Sequence, residues 1–312
     1  PESERKAELL RRGEPRPFTM MYTVDMNAPE LVFPRSSSSD QAFALDAKSV
    51  HIDNKLEWTN GKSHLDVGAI LLDSTTVLLN GCSACVWKEY KRTTSMMPEG
   101  RDMSLSCTYR SPKWDPGRRA PAYEVFVDFL DHAEVDLSDF EYRVLVALSS
   151  ENFAEIVDVP QPLYEIEEIP SAESSTPVKA AAEETLVVLN INKMRLATFG
   201  SSLPTRSKPL ASFELDDMHV MYRNKDGKTI LSVTCPSLAL YDSRVGVPEQ
   251  ARQAFGRAPG SRASETLFCV DAIMSESLYD CNFLLQSCRM MYDPEFGLAI
   301  YNFFVSQSED ES

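Results

Sequence analysis

The sequence predicts a mainly β, antiparallel protein, and three observations carry that prediction. Over long stretches apolar residues alternate with polar ones, the period that puts every second side chain on one face of a strand. Turn signals punctuate those stretches, notably Asn60-Gly61 and Asn224-Lys225-Asp226-Gly227. A single segment, opened by Ser138 and Glu141, has the capping pattern and apolar stripe of a helix.

In chain order, Phe18, Met20, Tyr22, Val24 and Met26 alternate with Thr19, Thr23 and Asp25, which predicts a strand with one apolar face. Pro29 and Pro34 bracket a short strand over 30–33, because a proline cannot donate to a ladder. Ser36 to Ser39 and Asp40 turn the chain into a strand over 43–52. Asn60-Gly61 then predicts a hairpin whose outgoing arm carries Leu65, Val67, Ala69 and Leu71 on one face. A further strand over 76–87 holds Asn80-Gly81, either a second turn or a bulge. A short strand follows over 103–109, and Tyr123, Val125, Val127 and Phe129 form the apolar face of another.

The helix opened at Ser138 has Phe140, Val144, Leu145 and Leu148 on its apolar stripe and should end near Glu155, before Pro160. From 160 to 184 Pro, Glu, Ser and Ala dominate, and this acidic stretch reads as a linker. Strands resume over 185–197 with Val187, Leu189 and Ile191, over 213–223 with Phe213 and Leu215, and over 228–241 with Leu231 and Val233. A loop rich in Arg, Gly and Pro spans 242–264, with a short helix expected at 248–255. Strands are expected over 265–274, 279–292 and 296–305, followed by an acidic tail at 306–312. The chain divides into a flank (1–17), a first unit (18–159), the linker and a second unit (185–305).

Composition limits the function. A net charge of −16 repels nucleic-acid phosphates and anionic headgroups. No run approaches the roughly 18 apolar residues of a membrane-spanning helix. No secretory h-region follows Pro1, and a chain that starts there reads as a fragment or a processed product. Cys82 and Cys85 have half the spacing of a zinc site, but no second pair completes it, and residues three apart on a strand point to opposite faces. His51, His64, His132 and His219 are isolated; His132 lies near Asp131 and Glu134, a conceivable acid–base pair with no accompanying nucleophile motif. The expectation is a protein that is not an enzyme and needs no metal or cofactor.

The apolar strand faces admit two readings. They are the inner faces of a closed β-sandwich, or they line an open groove that apolar ligands fill. Periodicity alone makes the sandwich the simpler choice, with the acidic loops of a protein-interaction scaffold outside it.

One further pattern bears on that choice. Asp25, Ala28, Pro29, Pro34, Ser36, Ser37, Ser39, Asp40, Leu45 and Asp46 follow a spacing that resembles a signature of the chorein, or vacuolar protein sorting-associated protein 13, family of bridge-like lipid transfer proteins. Ala47 departs from it where that family usually has Gly. Leu137-Ser138 with Tyr142, then Glu151-Asn152 and Glu155, resembles the helix that closes a module of that family; Met218, Val220 and Tyr222 with Ile230 to Val233 resemble the start of the next.

The resemblance implies a highly curved β-groove of repeating modules, each of about five strands and a crossing segment. It implies non-enzymatic transfer of glycerophospholipids between apposed membranes at organelle contact sites. Partners would be the carried lipids, neighbouring modules of the same long chain, and membrane adaptor proteins bound through other regions. The location would be cytoplasmic and peripheral. On this reading the groove is lined by Phe18, Met20, Tyr22 and Val24; by Leu65, Val67, Ala69 and Leu71; by Val125, Val127 and Phe129; by Val187, Leu189 and Ile191; and by Phe213, Leu215, Leu231 and Val233. A one-residue bulge would invert any of these sets.

Overall fold

The computed structural model describes residues 20–59, 69–115, 120–152, 184–200, 206, 208–225, 227–261, 266–275 and 279–305, and all structural statements concern these. The first half contains β1 (Thr23–Asn27), β2 (Glu30–Pro34), β3 (Ala42–Asp46), β4 (Ser49–Trp58), β5 (Leu71–Lys88), β6 (Lys91–Arg92), β7 (Met103–Trp114), β8 (Tyr123–Phe129), β9 (Ala133–Ser138) and helix α1 (Asp139–Ala147). The second contains β10 (Thr185–Phe199), β11 (Pro209–Lys225), β12 (Lys228–Cys235), β13 (Ser237–Asp242), β14 (Gln253–Arg257), β15 (Phe268–Met274), β16 (Tyr279–Leu285), β17 (Cys288–Met290) and helix α2 (Pro294–Val305). All seventeen strands belong to one large sheet that is not closed into a barrel.

These pieces are long strands broken along one line. The chain kinks at Ala28 (φ 48°) between β1 and β2, and at Ala47-Lys48 between β3 and β4. It bulges at Gly81 (φ 61°) inside β5, where the pairing with β7 shifts between Leu79 and Cys82. Leu130 to His132 separate β8 from β9, Pro236 separates β12 from β13, and Ser287 (φ 43°) lies between β16 and β17. In β10 and β11, Asn192 and Asp217 (φ 54°) face each other between the pairs Ile191–Met218 and Lys193–Asp216. Hydrogen bonds carry the line from strand to strand: Ala28 N donates to Lys48 O (3.0 Å), Lys48 N to Asn80 O (2.9 Å) and Leu130 N to Ser104 O (3.0 Å).

The break has a clear consequence for side-chain direction. On a regular strand, residues on one face are an even number apart. Here the apolar positions run Val77, Leu79, then Cys82, Ala84, Val86; and Leu189, Ile191, then Met194, Leu196. The jump of three at the seam keeps both sets on one side, and Leu79, Cys82, Phe129, Met194 and Phe213 pack in a single apolar cluster. A strand without the extra residue would turn half of its apolar side chains outward.

Above the seam lie β1, β4, the start of β5, β7 and β8, then the starts of β10 and the ends of β11, with β12, β15 and β16. Each half therefore supplies five strands to this upper part and is followed by a helix. The halves join where β8 and β9 pair with β10 in parallel, Val127 beside Leu189 and Val135 beside Leu196. A parallel pair requires the chain to cross back from one end of the strands to the other. The return lies between Ser138 at the end of β9 and Thr185 at the start of β10. The sheet is thus mixed, where an antiparallel one was expected, because the crossover restores the strand direction.

Below the seam the apolar face is covered. Helix α1 starts in a capping box: Glu141 N donates to Ser138 Oγ (3.3 Å) and Ser138 N to Glu141 Oε2 (2.7 Å). It ends at Ala147 and passes into a π-helical turn, Leu148–Asn152. Helix α2 replaces the strand expected over 296–305. Asp293 Oδ1 accepts from Glu295 N (2.9 Å) and Phe296 N (3.3 Å), with Pro294 at the first helical position. Its Phe296 and Phe303 are buried among Val86, Val144, Leu137 and Ala211, and Tyr142 of α1 stacks on Phe303 with ring centroids 5.5 Å apart. Arg244 links the loop after β13 to this helix through Asp242 (2.8 Å) and Asp293 (2.7 Å). The helix expected over 248–255 is only a 3-10 turn, Glu249–Ala251, because Gln253 onward pairs into β14. The hairpin turn at Asn60-Gly61, most of the acidic linker and the tail lie outside the described residues; the arms flanking that turn do pair, Trp58 with Leu71.

Candidate functional site

Above the seam, one row of side chains crosses ten strands without a polar member. Register places Val24 beside Ile52, then Val77, Cys107, Val127, Leu189, Val220, Val233, Val270 and Phe283. Directly paired residues share a face, so all ten point to the same side. The row nearer the seam holds Met26, Val50, Leu79, Leu105, Phe129, Ile191 and Met218, and the row further away holds Tyr109, Val125, Val187, Tyr222, Leu231 and Ala272.

The reverse face is mostly polar and cross-linked, apart from an apolar trio, Phe126, Val188 and Met221, at the joint. Asn190 Nδ2 donates to Asp128 Oδ1 (2.6 Å), while His219 Nδ1 lies 2.6 Å from Asn190 Oδ1, a chain across three strands. His51 meets Asp25 (2.6 Å), Thr76 meets Thr108 (3.2 Å), and Ser232 donates to Asp271 (2.6 Å).

Burial is deeper below the seam than above it. Below the seam, Val86 and Ala133 under the helices have essentially no exposure. Above it, the eight inner members of the ten-residue row are half-buried, and only its ends are exposed, Val24 at 40% and Phe283 at 60%. A closed sandwich would bury such a row in the middle of the sheet. The row's extent is about 43 Å for nine strand spacings. Contiguous apolar patches left in part to water mark sites that take an apolar ligand or partner.

Of the residues read from sequence as lining, Val24, Leu71, Val125, Val127, Phe129, Val187, Leu189, Ile191, Leu231 and Val233 fall on this side by register. Leu71 and Ile191 are buried, as is Ala69 just before β5. Met20 and Tyr22 precede β1 and are exposed; the Tyr22 hydroxyl lies 3.4 Å from Thr75 Oγ1. Phe213 and Leu215 lie below the seam, Phe213 against Phe304 of α2 with centroids 6.3 Å apart. Phe18, Leu65 and Val67 lie outside the described residues. Sequence reasoning missed Ile52, Val77, Cys107, Val220, Val270 and Phe283. Val77 and Ile52 were within recognised strands, but the bulge at Gly81 hid which face they share.

Other chemistry is sparse. All seven cysteines are free, and burial pushes the Cys82 and Cys85 thiols up, away from the reactive thiolate. His132 Nδ1 lies 3.4 Å from Glu134, whose carboxylate also meets Arg101 (3.5 Å) and Arg195 (3.7 Å). That is a charge cluster on the sheet. Among the described residues no His, Cys, Asp and Glu group has the geometry to hold a metal, and no helix is long and apolar enough to cross a membrane.

No protein-family model, curated protein or solved structure matches this chain.

Proposed function

We propose that this chain is a segment of a non-enzymatic lipid conduit, carrying glycerophospholipids along the uncovered apolar face between apposed membranes. The single observation that supports it most is the ten-strand row from Val24 to Phe283, apolar throughout, half-buried along its inner members and exposed at both ends. Acyl chains are the natural cover for such a face. Each methylene removed from water contributes about 0.8 kcal/mol, and a sheet of aliphatic side chains demands no particular chain length.

The two units of five strands and a helix support the same reading, because a repeat that continues across a joint extends the face without limit. In this account the row runs from unit to unit across the Val127–Leu189 joint, and further modules of a longer chain would extend it at β1 and β16. The chain's net charge of −16 keeps the segment off anionic membranes, so adaptor proteins at other regions would set its cytoplasmic, contact-site location.

The test is transfer. The purified chain, tethered between donor vesicles containing fluorescent phosphatidylcholine and unlabelled acceptors, should speed exchange without vesicle fusion. A chain that neither extracts nor exchanges phosphatidylcholine would sink the proposal. Capture of a protein strand on the same face would then revive the scaffold reading.

A further inference from the structure

The apolar face has two unlike margins. Toward the seam it runs beneath α1 and α2, where Phe296 and Phe303 are buried. The opposite margin carries tyrosines. Tyr109 and Tyr222 stand in one row, joined through Val125 and Val187. Tyr22 reaches the same level, because its carbonyl accepts from Asn54 N (3.1 Å) and Asn54 pairs with Thr75, itself opposite Tyr109. Tyr123 is one step further out, its ring 6.0 Å from that of Tyr109.

All four are between 36% and 42% exposed. The phenols of Tyr109, Tyr123 and Tyr222 bond to no other described residue. A tyrosine suits a boundary, with an apolar ring on one side and a hydrogen-bonding hydroxyl on the wet side. From Tyr222 to Met218 at the seam is four residues, or roughly 14 Å of strand. That is close to half of the ~30 Å hydrocarbon thickness of a bilayer, the depth of one leaflet's chains.

We propose that Tyr22, Tyr109, Tyr123 and Tyr222 form the headgroup-level rim of this face. A diacyl lipid lies along the strands, with its ester groups at the phenols and its chain ends at the seam. This rests on the lipid reading and adds to it an orientation, and a requirement that the cargo carry hydrogen-bond acceptors where its chains begin. The phenols donate to ester or phosphate oxygens, and the strip between tyrosines and helices takes the chains.

The experiment uses two phosphatidylcholine probes loaded onto the full chain, with a photoactivatable diazirine on the headgroup or at the end of one acyl chain. Cross-linked peptides are mapped by mass spectrometry. Headgroup adducts should fall on the segments with Tyr22, Tyr109, Tyr123 and Tyr222, and chain-end adducts on those with Leu105, Phe129, Ile191 and Met218. A reversed or uniform pattern overturns the orientation and leaves the lipid reading standing. Adducts of neither kind on this face would overturn both.

A second measurement separates the hydroxyls from the rings. The double variant Tyr109→Phe, Tyr222→Phe should retain phosphatidylcholine about fivefold less per donor removed, the worth of one ordinary hydrogen bond. It should hold hexadecane, which has no acceptor, as the unaltered chain does. Equal losses for both ligands, or none for either, overturn the role of the phenols.

Discussion

Val127 and Leu189 pair side by side in parallel strands, at the joint between the two five-strand units. They stand at the centre of a half-buried apolar row over which no second sheet lies among the described residues. That relationship makes an otherwise ordinary pair of core-type residues the place where the two readings of the sequence diverge.

If this face is open, Val125→Asp with Val127→Asp adds two charges to a partly exposed surface. The expected loss of stability is about 1 kcal/mol per site, the span of strand preferences, with unchanged β content by circular dichroism. Lipid retention should be abolished. Loss of the fold itself would indicate a dry interior at these positions.

The seam depends on backbone at positive φ. Ala28 at φ 48° carries a side chain where glycine is easier, so Ala28→Gly should stabilise the chain by about 0.5–1 kcal/mol. Gly81 is the converse. A Cβ there would lie 2.5 Å from Lys48 Cδ at φ 61°, so Gly81→Val should destabilise by about 2 kcal/mol or more. Urea denaturation reads both signs.

Helix α1 hangs on Ser138 and Glu141, both almost fully buried. Ser138→Ala should cost about 1–2 kcal/mol through the lost cap. Glu141→Ala should cost more, about 3–5 kcal/mol, because it also strands Arg206, 2.9 Å away and largely buried. The reverse order would contradict the assignment.

Acid should loosen the start of β10. Burial raises the Glu184 carboxyl's pKa, but hydrogen bonds from Lys225 (2.7 Å) and Arg223 (2.5 Å) and their charges outweigh it and hold it below the ordinary value of 4.5. A lowered folded pKa contributes stability that is present above that ordinary value and is lost as pH falls through the folded one. Unfolding free energy should therefore drop on acidification below about pH 4.5, and Glu184→Gln should remove that part of the dependence.

Much of this architecture was legible in the residues. The capping box at Ser138 and Glu141, the loop closed by Gly227 between β11 and β12, and the alternation over Val125 to Phe129 and Val187 to Ile191 all follow local rules. The seam was not, because Asn192, Asp217 and Ala28 carry no signal of their own, and only pairing shows that their breaks align. Helix α2 was not legible either: its cap at Asp293 and Pro294 is seen only in the structure, and the apolar run after it reads equally well as a strand. The parallel joint is a contact between residues more than fifty positions apart, beyond the reach of any local pattern.

The central claim is that acyl chains cover the face around Val127 and Leu189. Native mass spectrometry with lipid extraction, on the chain purified from cells under gentle conditions, tests it most directly. The account predicts several glycerophospholipids bound per chain, lost together in the Val125→Asp, Val127→Asp variant. A stable, monomeric chain that carries no lipid would contradict it.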